Sequence, residues 1–342
     1  MEAIMQPGLG IILIFSAGLA SGSFAVPSKR ITRWSWNNVW LVYCCCAFGV
    51  MPLLLAAAFA PGVLWRVIPE DPRQVALVTG FGVLWGFGAL LFGISLPRLG
   101  IAISNSLVSG TTVLAGSMGP LLVGAAVLDQ RGLARLFQGL LVLMAGIILC
   151  ALASVVRDGN RPQKSLTGRR GKPLAGVLVA VTGGILSSML NVGFAYGAGL
   201  GARARSLGYT PLLANLAIWI PLLFGGLLVN LAYTTWRIQR EHGWRPYLVA
   251  ASWPGDWLKS ASMATLWLGA ILLYGAGASL AGQRGTVYGW ALIVGVSIFA
   301  SSAWGVQTGE WQGAPRRALS LMSAGTLLLL VSFVLLAWFS AA

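Results

Sequence analysis

Two asparagines stand inside long apolar runs, Asn105 in SNSLVSG and Asn191 in MLNVGFA. An amide in hydrocarbon costs kilocalories unless it finds hydrogen-bond partners, so both are candidates for lining a polar cavity. Asn105, Ser109, Thr112 and Gly116 are spaced i, i+4, i+7, i+11, one face of a 3.6-residue helix, and Gly184, Ser187, Ser188, Asn191 and Ala195 fall on a similar stripe. Two more stripes run Gly18, Ser21, Gly22, Ala25 and Gly82, Trp85, Gly86, Ala89, Gly93. Small residues also let helices approach with no ligand involved, and that accounts for most of the glycines. The amides, with Ser21 and Ser187, suit the hydroxyl edges of a sugar or similar polyol, and Trp85, Tyr274, Tyr288 or Trp290 would cover its apolar face.

Acid and base chemistry has less to work with. All eight carboxylates, Glu2, Glu70, Asp71, Asp129, Asp158, Glu241, Asp256 and Glu310, fall in termini or in the connections between apolar runs. None is expected at mid-membrane, where a proton relay would place one. Asp129 and Glu310 come nearest, each closing an apolar run and each followed by two arginines, Arg131 with Arg135 and Arg316 with Arg317. They read as interfacial ion pairs or, more sharply, as a coupling group or gate latch. The single His242 sits beside Glu241 in a polar connection, and HExxH, GxSxG and GxxxxGK[ST] are absent, so no enzyme is indicated. Cys44, Cys45, Cys46 and Cys150 lie in apolar runs without a CxxC pair, which argues against a disulfide framework or a zinc site.

The elements that must position these residues follow from composition. Of the 342 residues 57% are apolar and 9% charged, where a soluble domain carries about 25% charge; such a chain cannot cover a water-facing surface. A crossing helix needs about 20 apolar residues, which predicts ten, at 8–27, 38–60, 75–96, 100–128, 134–156, 174–199, 212–236, 261–281, 286–307 and 318–340. The first run lacks the basic start of a signal peptide and carries Glu2, so it is kept as a span. Sixteen of the 23 Lys and Arg fall in one set of alternate connections, which the positive-inside rule assigns to the cytoplasm, leaving both termini outside. The net charge of +15 is therefore topology, not a nucleic-acid footprint. Trp34, Trp36, Trp40, Trp244, Trp253 and Trp257 flank spans, as interfacial anchors do.

The longest polar stretch divides the spans five and five: 1–156, a basic cytoplasmic connection 157–173, and 174–342. A shift of 182 lays Trp85, Phe92, Gly93 and Gly100 on Trp267, Tyr274, Gly275 and Gly282, and a shift of 166 lays Gly18, Ser21, Gly22 and Ala25 on Gly184, Ser187, Ser188 and Asn191. Five is odd, so the second half enters from the opposite side. The fold class expected is an all-α polytopic membrane protein of ten transmembrane helices in two inverted five-helix repeats, a common design of secondary transporters.

Pro27, Lys29 and Arg30 with Trp34, Ser35, Trp36 and Trp40, then Leu84, Trp85, Gly86, Gly88, Gly93, Leu99 and Gly100, and finally Glu310, Trp311, Arg316 and Arg317, resemble the L-rhamnose/proton symporter family of the drug/metabolite transporter superfamily. The resemblance runs from about residue 15 to the C-terminus. It implies uptake of a 6-deoxyhexose with a proton, a bacterial inner membrane and periplasmic termini. It also implies a substrate path between the first, third, fourth, sixth, eighth and ninth helices. No cofactor is expected, and the proton is the candidate coupling ion. The partners expected are a small sugar and the lipid bilayer; a homodimer stays open, since the cysteines fix no dimer face. The rival readings are an exporter of small amphipathic metabolites or drugs on the same fold, and a non-transporting membrane component whose stripes serve only helix packing.

Overall fold

A computed structural model describes residues 2–159, 173–249 and 254–341. The long helices are α1 Glu2–Ser23, α2 Trp36–Phe59, α3 Pro72–Leu99, α4 Ile101–Leu122, α5 Gln130–Gly159, α6 Leu174–Ser206, α7 Pro211–Arg240, α8 Gly255–Leu280, α9 Gly285–Gln307 and α10 Arg316–Ala341. Among the described residues there is no strand, and nine helical segments are long and apolar enough to cross a membrane. Helices meet the bilayer's demand that every backbone polar group be bonded internally. The segment outside that apolar set is α4, whose 22 residues include Ser104, Asn105, Ser106, Ser109, Thr111, Thr112 and Ser117.

Helix ends are set by local chemistry. Asp71 caps α3 by accepting from the Gln74 N–H at 2.9 Å, with Pro72 at the first helical position. Asp129 accepts from the Gly132 N–H at 2.9 Å at the start of α5. The turns after α3 and α8 pass through Gly100 and Gly282 at φ of 83° and 67°, a region that L side chains rarely adopt.

Two expectations need correction. The apolar run predicts a fourth span through residue 128, but α4 ends at Leu122, after Pro120, and the chain turns there. The apolar runs place Asp158 and Asp256 in connections, yet Asp158 lies in the last turn of α5 and Asp256 in the first turn of α8. Asp256 is 6% exposed, with Lys259 at 3.2 Å. Charged first and last turns extend an apolar run to the interface, and a hydropathy window trims them away.

The helices pack in matching sets. α1 lies against α8 and α9, and α6 against α3 and α4. α3 crosses α7 while α8 packs on α2; α4 meets α5 as α9 meets α10; α5 and α10 pair along their length. The α3–α7 crossing is the closest. A Cβ on Gly82 would lie 1.9 Å from the Leu222 carbonyl oxygen, and one on Gly225 would lie 2.1 Å from that of Thr79. Beside it, Trp85 of α3 and Trp267 of α8 stack at 5.6 Å between centroids, with Phe48 of α2 edge-on to both.

Of the expected interfacial tryptophans, Trp36 and Trp244 are exposed, whereas Trp34 and Trp40 find partners within the protein. Trp34 is 6% exposed between Tyr247 and Trp257, at 4.9 and 5.2 Å, and the Trp40 indole N–H donates to Asn230 Oδ1 at 3.0 Å. Trp253 and the basic residues Arg161, Lys164, Arg169, Arg170 and Lys172 lie outside the described residues.

Candidate functional site

A cavity of about 320 Å³ opens between α1, α4, α5, α9 and α10, within the ~300–1,000 Å³ span of small-molecule sites. The polar stripe of α4 supplies Asn105, Ser106 and Ser109; Ser154 comes from α5, and Ser301 and Ser302 from α9. Ile147, Ile298 and Met322 give the cavity apolar surface. Gly22 and Ala25 keep the α1 wall thin, because α1 presses on α9: a Cβ on Gly22 would meet the Ser297 carbonyl oxygen at 2.4 Å.

Charge gathers at one end of this cavity. Lys29, just past α1, bonds Glu310 Oε1 at 2.5 Å and Thr308 Oγ1 at 2.9 Å, so the end of α1 is tied to the α9–α10 connection. Arg157, at the end of α5, approaches Glu310 Oε2 at 4.0 Å, pairs with Asp158 at 2.8 Å and lies 4.6 Å over the Trp311 ring. The Trp304 indole N–H donates to Ser23 Oγ at 2.7 Å. Lys29, Arg157, Asp158, Trp304, Glu310 and Trp311 line the cavity at this mouth. Lys29 and Glu310 are both near half-exposed, a setting in which an ion pair contributes only ~0.2–1 kcal/mol; it is readily broken.

The opposite end is closed by a buried hydrogen-bond network. Asn191, with no exposed surface, donates through Nδ2 to the Gly116 and Thr286 carbonyls, both at 2.8 Å, and its Oδ1 accepts the Tyr274 hydroxyl. The Trp290 indole N–H donates to the Thr112 carbonyl at 3.0 Å, and Thr112 Oγ1 donates to that of Gly184 at 3.0 Å. Gly116 makes room for the indole, since a Cβ there would lie 2.0 Å from Trp290 Nε1. The Tyr288 hydroxyl donates to the Gly132 carbonyl at 2.7 Å. Thus α4, α6, α8 and α9 are bonded together beyond the cavity, and α9 is bonded to the start of α5.

Of the candidate polyol contacts, Asn105 is on the cavity wall. Asn191, Tyr274 and Trp290 are brought together in the closing network, with Tyr288 nearby on α9. Ser21 does not line the cavity; Ser187 packs against Gly88 of α3, where a Cβ would meet Ser187 Oγ at 2.7 Å. Trp85 belongs to the aromatic stack with Trp267, away from the cavity. Asp129 caps a helix, whereas Glu310 sits in the charged mouth. Sequence reasoning missed Ser154, Ser301, Ser302 and Trp304. The spacing Ser297, Ser301, Trp304, Thr308 on α9 carries the same helical signal as the α4 stripe.

On the connections, burial pushes the Tyr247 phenol up to about 12. The Gln74 backbone N–H, and then the Arg203 guanidinium at 3.1 Å, hold the Asp71 carboxyl below the usual range. Among the described residues no group of His, Cys, Asp or Glu converges as a metal site.

A multi-pass helical bundle with a polar cavity reached from one face and bonded shut toward the other is built as a membrane transporter. Residues 2–341 match the L-rhamnose-proton symport protein family, and the chain belongs to that family, whose members are transporters and not enzymes. It is similar to the L-rhamnose-proton symporter of Klebsiella pneumoniae subsp. pneumoniae, 23% identical over 337 residues and 95% of each chain. It is also similar to those of Cronobacter sakazakii and Salmonella newport, each 22% identical over 337 residues and 95% of each chain.

Proposed function

We propose that this protein imports L-rhamnose, or a 6-deoxyhexose of the same shape, together with a proton, by alternating access. The observation that carries the reading is the match to symporters along residues 2–341. The cavity adds chemistry of the right kind. Asn105, Ser109, Ser154 and Ser302 would bond sugar hydroxyls, while Ile147, Ile298 and Met322 would meet its apolar edge.

Ten helices in two inverted repeats, the drug/metabolite transporter arrangement, is the architecture in this reading. The packing supports it. Exchanging each helix of the first five with its counterpart in the second turns α1 on α8 into α6 on α3, α1 on α9 into α6 on α4, and α3 on α7 into α8 on α2, and all these contacts are present. Trp85 and Trp267, counterparts under the shift of 182, stack on each other, and the counterpart turns Gly100 and Gly282 share a positive φ.

With the more basic face cytoplasmic in a bacterial inner membrane and both termini periplasmic, the cavity is inward-facing and the Asn191 network is the outer gate. Asn191, Tyr274, Trp290 and Tyr288 then act by opening that gate, with Asn105 on the path itself. Glu310 is the coupling group: protonation would release Lys29 and Arg157 and uncouple α1 from the α9–α10 connection. Sugar and proton together stabilise the occluded state relative to either open one.

The test is uptake of radiolabelled L-rhamnose into proteoliposomes, with and without an inward proton gradient. Gradient-driven accumulation, lost in Asn105→Leu, is expected. No uptake under either condition by folded protein overturns the reading.

A further inference from the structure

Beyond the closing network lies a second cavity of about 210 Å³, between α6, α7, α8, the start of α9 and the end of α4. Its floor is Phe194, Asn215, Ile218 and Ser279, and its mouth is at Gly282 and Arg205. Thr286 joins it to the gate, because this residue lines the cavity while its carbonyl accepts from Asn191. A solute crossing between the two faces would meet this chamber on the other side of the Asn191 network from the first cavity.

The chamber is equipped for a ligand. Asn215 is fully buried, and its amide faces the Ser279 hydroxyl, with Nδ2 3.0 Å and Oδ1 3.3 Å from Oγ. That pairing leaves the second Nδ2 proton and an Oδ1 lone pair for another partner. Arg205 brings its guanidinium to the same corner: a Cβ on Gly201 would lie 3.1 Å from Asn215 Oδ1 and 3.5 Å from Arg205 Nη1. Arg205 makes no ion pair among the described residues, whereas Arg203, two residues earlier, pairs with Asp71. Phe194, buried with its ring stacked on Trp219 at 4.5 Å and tilted against Tyr274 at 5.9 Å, gives the chamber an apolar edge with Ile218. An amide, a hydroxyl and a planar fork of donors beside an apolar edge match a neutral monosaccharide, whose vicinal hydroxyls take paired hydrogen bonds while its C–H groups meet the apolar side.

We propose that this chamber is a second sugar site, which binds the incoming monosaccharide at Asn215, Ser279 and Arg205 before the Asn191 gate opens. The proposal rests on the sugar-import reading above. Sugar held there would reach the gate already desolvated and oriented, lowering the external concentration needed for transport without changing the turnover of the inner cavity.

Equilibrium binding of radiolabelled L-rhamnose to the purified full chain counts the sites. Two sugars per wild-type chain are expected, and one in Arg205→Ala, in Ser279→Ala and in Asn105→Leu, with none in Arg205→Ala combined with Asn105→Leu. In proteoliposomes Arg205→Ala should raise KM for uptake about 2- to 10-fold, the loss of one or two hydrogen bonds, with the maximal rate kept. Arg205 is exposed, so this variant folds even where Ser279→Ala does not. One sugar per wild-type chain with uptake intact, or unchanged stoichiometry and KM in Arg205→Ala, overturns the second site and leaves the import reading standing. Absence of both binding and uptake in the wild type overturns the import reading, and the second site with it.

Discussion

The side-chain oxygen of Asn191 accepts the Tyr274 hydroxyl while its amide nitrogen serves carbonyls on α4 and α9, so one side chain holds α6 to three neighbours. Removing a partner from a buried network strands the other, at about 1–3 kcal/mol per group. Tyr274→Phe should therefore lower the thermal midpoint in detergent, and Asn191→Leu should lower it further, since it also leaves the Tyr274 hydroxyl without its acceptor. If Asn191→Leu is as stable as wild type, the network does not hold the bundle closed.

Trp85 and Trp267 stack with planes 14° apart. Offset-stacked pairs contribute about 0.5–1.5 kcal/mol beyond their area. A double-mutant cycle with Trp85→Leu and Trp267→Leu, read as thermal stability, should show a coupling of that size. Additive losses would mean that the two rings pack independently.

Much of this was legible in the residues. Apolar run length located each helix, though ends such as 128, 199 and 261 lie six or seven residues from those observed, and shifts of 166 and 182 paired elements whose contacts also exchange. The sequence marks the amides of Asn105 and Asn191 as costly in hydrocarbon, but not which lines the cavity and which cross-links helices. Both environments satisfy an amide in hydrocarbon, and only packing decides: the close approach of α4 and α6 brings the Gly116 carbonyl within reach of Asn191 on α6 and the Gly184 carbonyl within reach of Thr112 on α4. Trp85 was misread for a related reason, since a ring facing another helix and a ring facing a ligand have the same spacing. Arg205 and Asn215 carry no signal in the sequence, because the chamber they share brings α6, α7 and α8 together and follows no helical period.

The Lys29–Glu310 pair joins two elements that must separate if the inner face moves. Glu310→Gln keeps the shape and removes the titratable charge. It should abolish gradient-driven accumulation while leaving sugar counterflow under equal pH within a few-fold of wild type. Accumulation equal to wild type in this variant would remove Glu310 as the coupling group.

Asp71 and Arg203 link the start of α3 to the end of α6 at 3.1 Å. Because the Asp71 carboxyl is held below its usual value, its contribution to stability is present above the unfolded-state value of about 3.9. It is lost as pH falls through the lower folded-state value. Thermal midpoints taken from pH 6 downward should fall more steeply below about pH 4 for wild type than for Asp71→Asn. The pair is part-exposed, so the difference is small; identical slopes would show that neither the Gln74 N–H nor Arg203 favours the charged form of Asp71 in the folded protein.

Selectivity for a 6-deoxy sugar should rest on Ile147 and Ile298. Ile147 is ten residues from Arg157 along α5, about 15 Å at the helical rise, and with Ile298 of α9 it gives the cavity apolar surface away from its charged mouth. A methyl at C6 suits that surface, whereas L-mannose, which differs from L-rhamnose by a hydroxyl on C6, would bury that hydroxyl without a partner. Apolar pockets reject an added hydroxyl by no more than about 100-fold, so wild type should prefer L-rhamnose by about 10- to 100-fold in kcat/KM. Ile298→Ser, offering a hydrogen-bond partner, should narrow the ratio toward unity through a lower KM for L-mannose, and Ile298→Val should leave it unchanged. Competition uptake with both labelled sugars measures this, and an unaltered ratio in Ile298→Ser would place the C6 group elsewhere in the cavity.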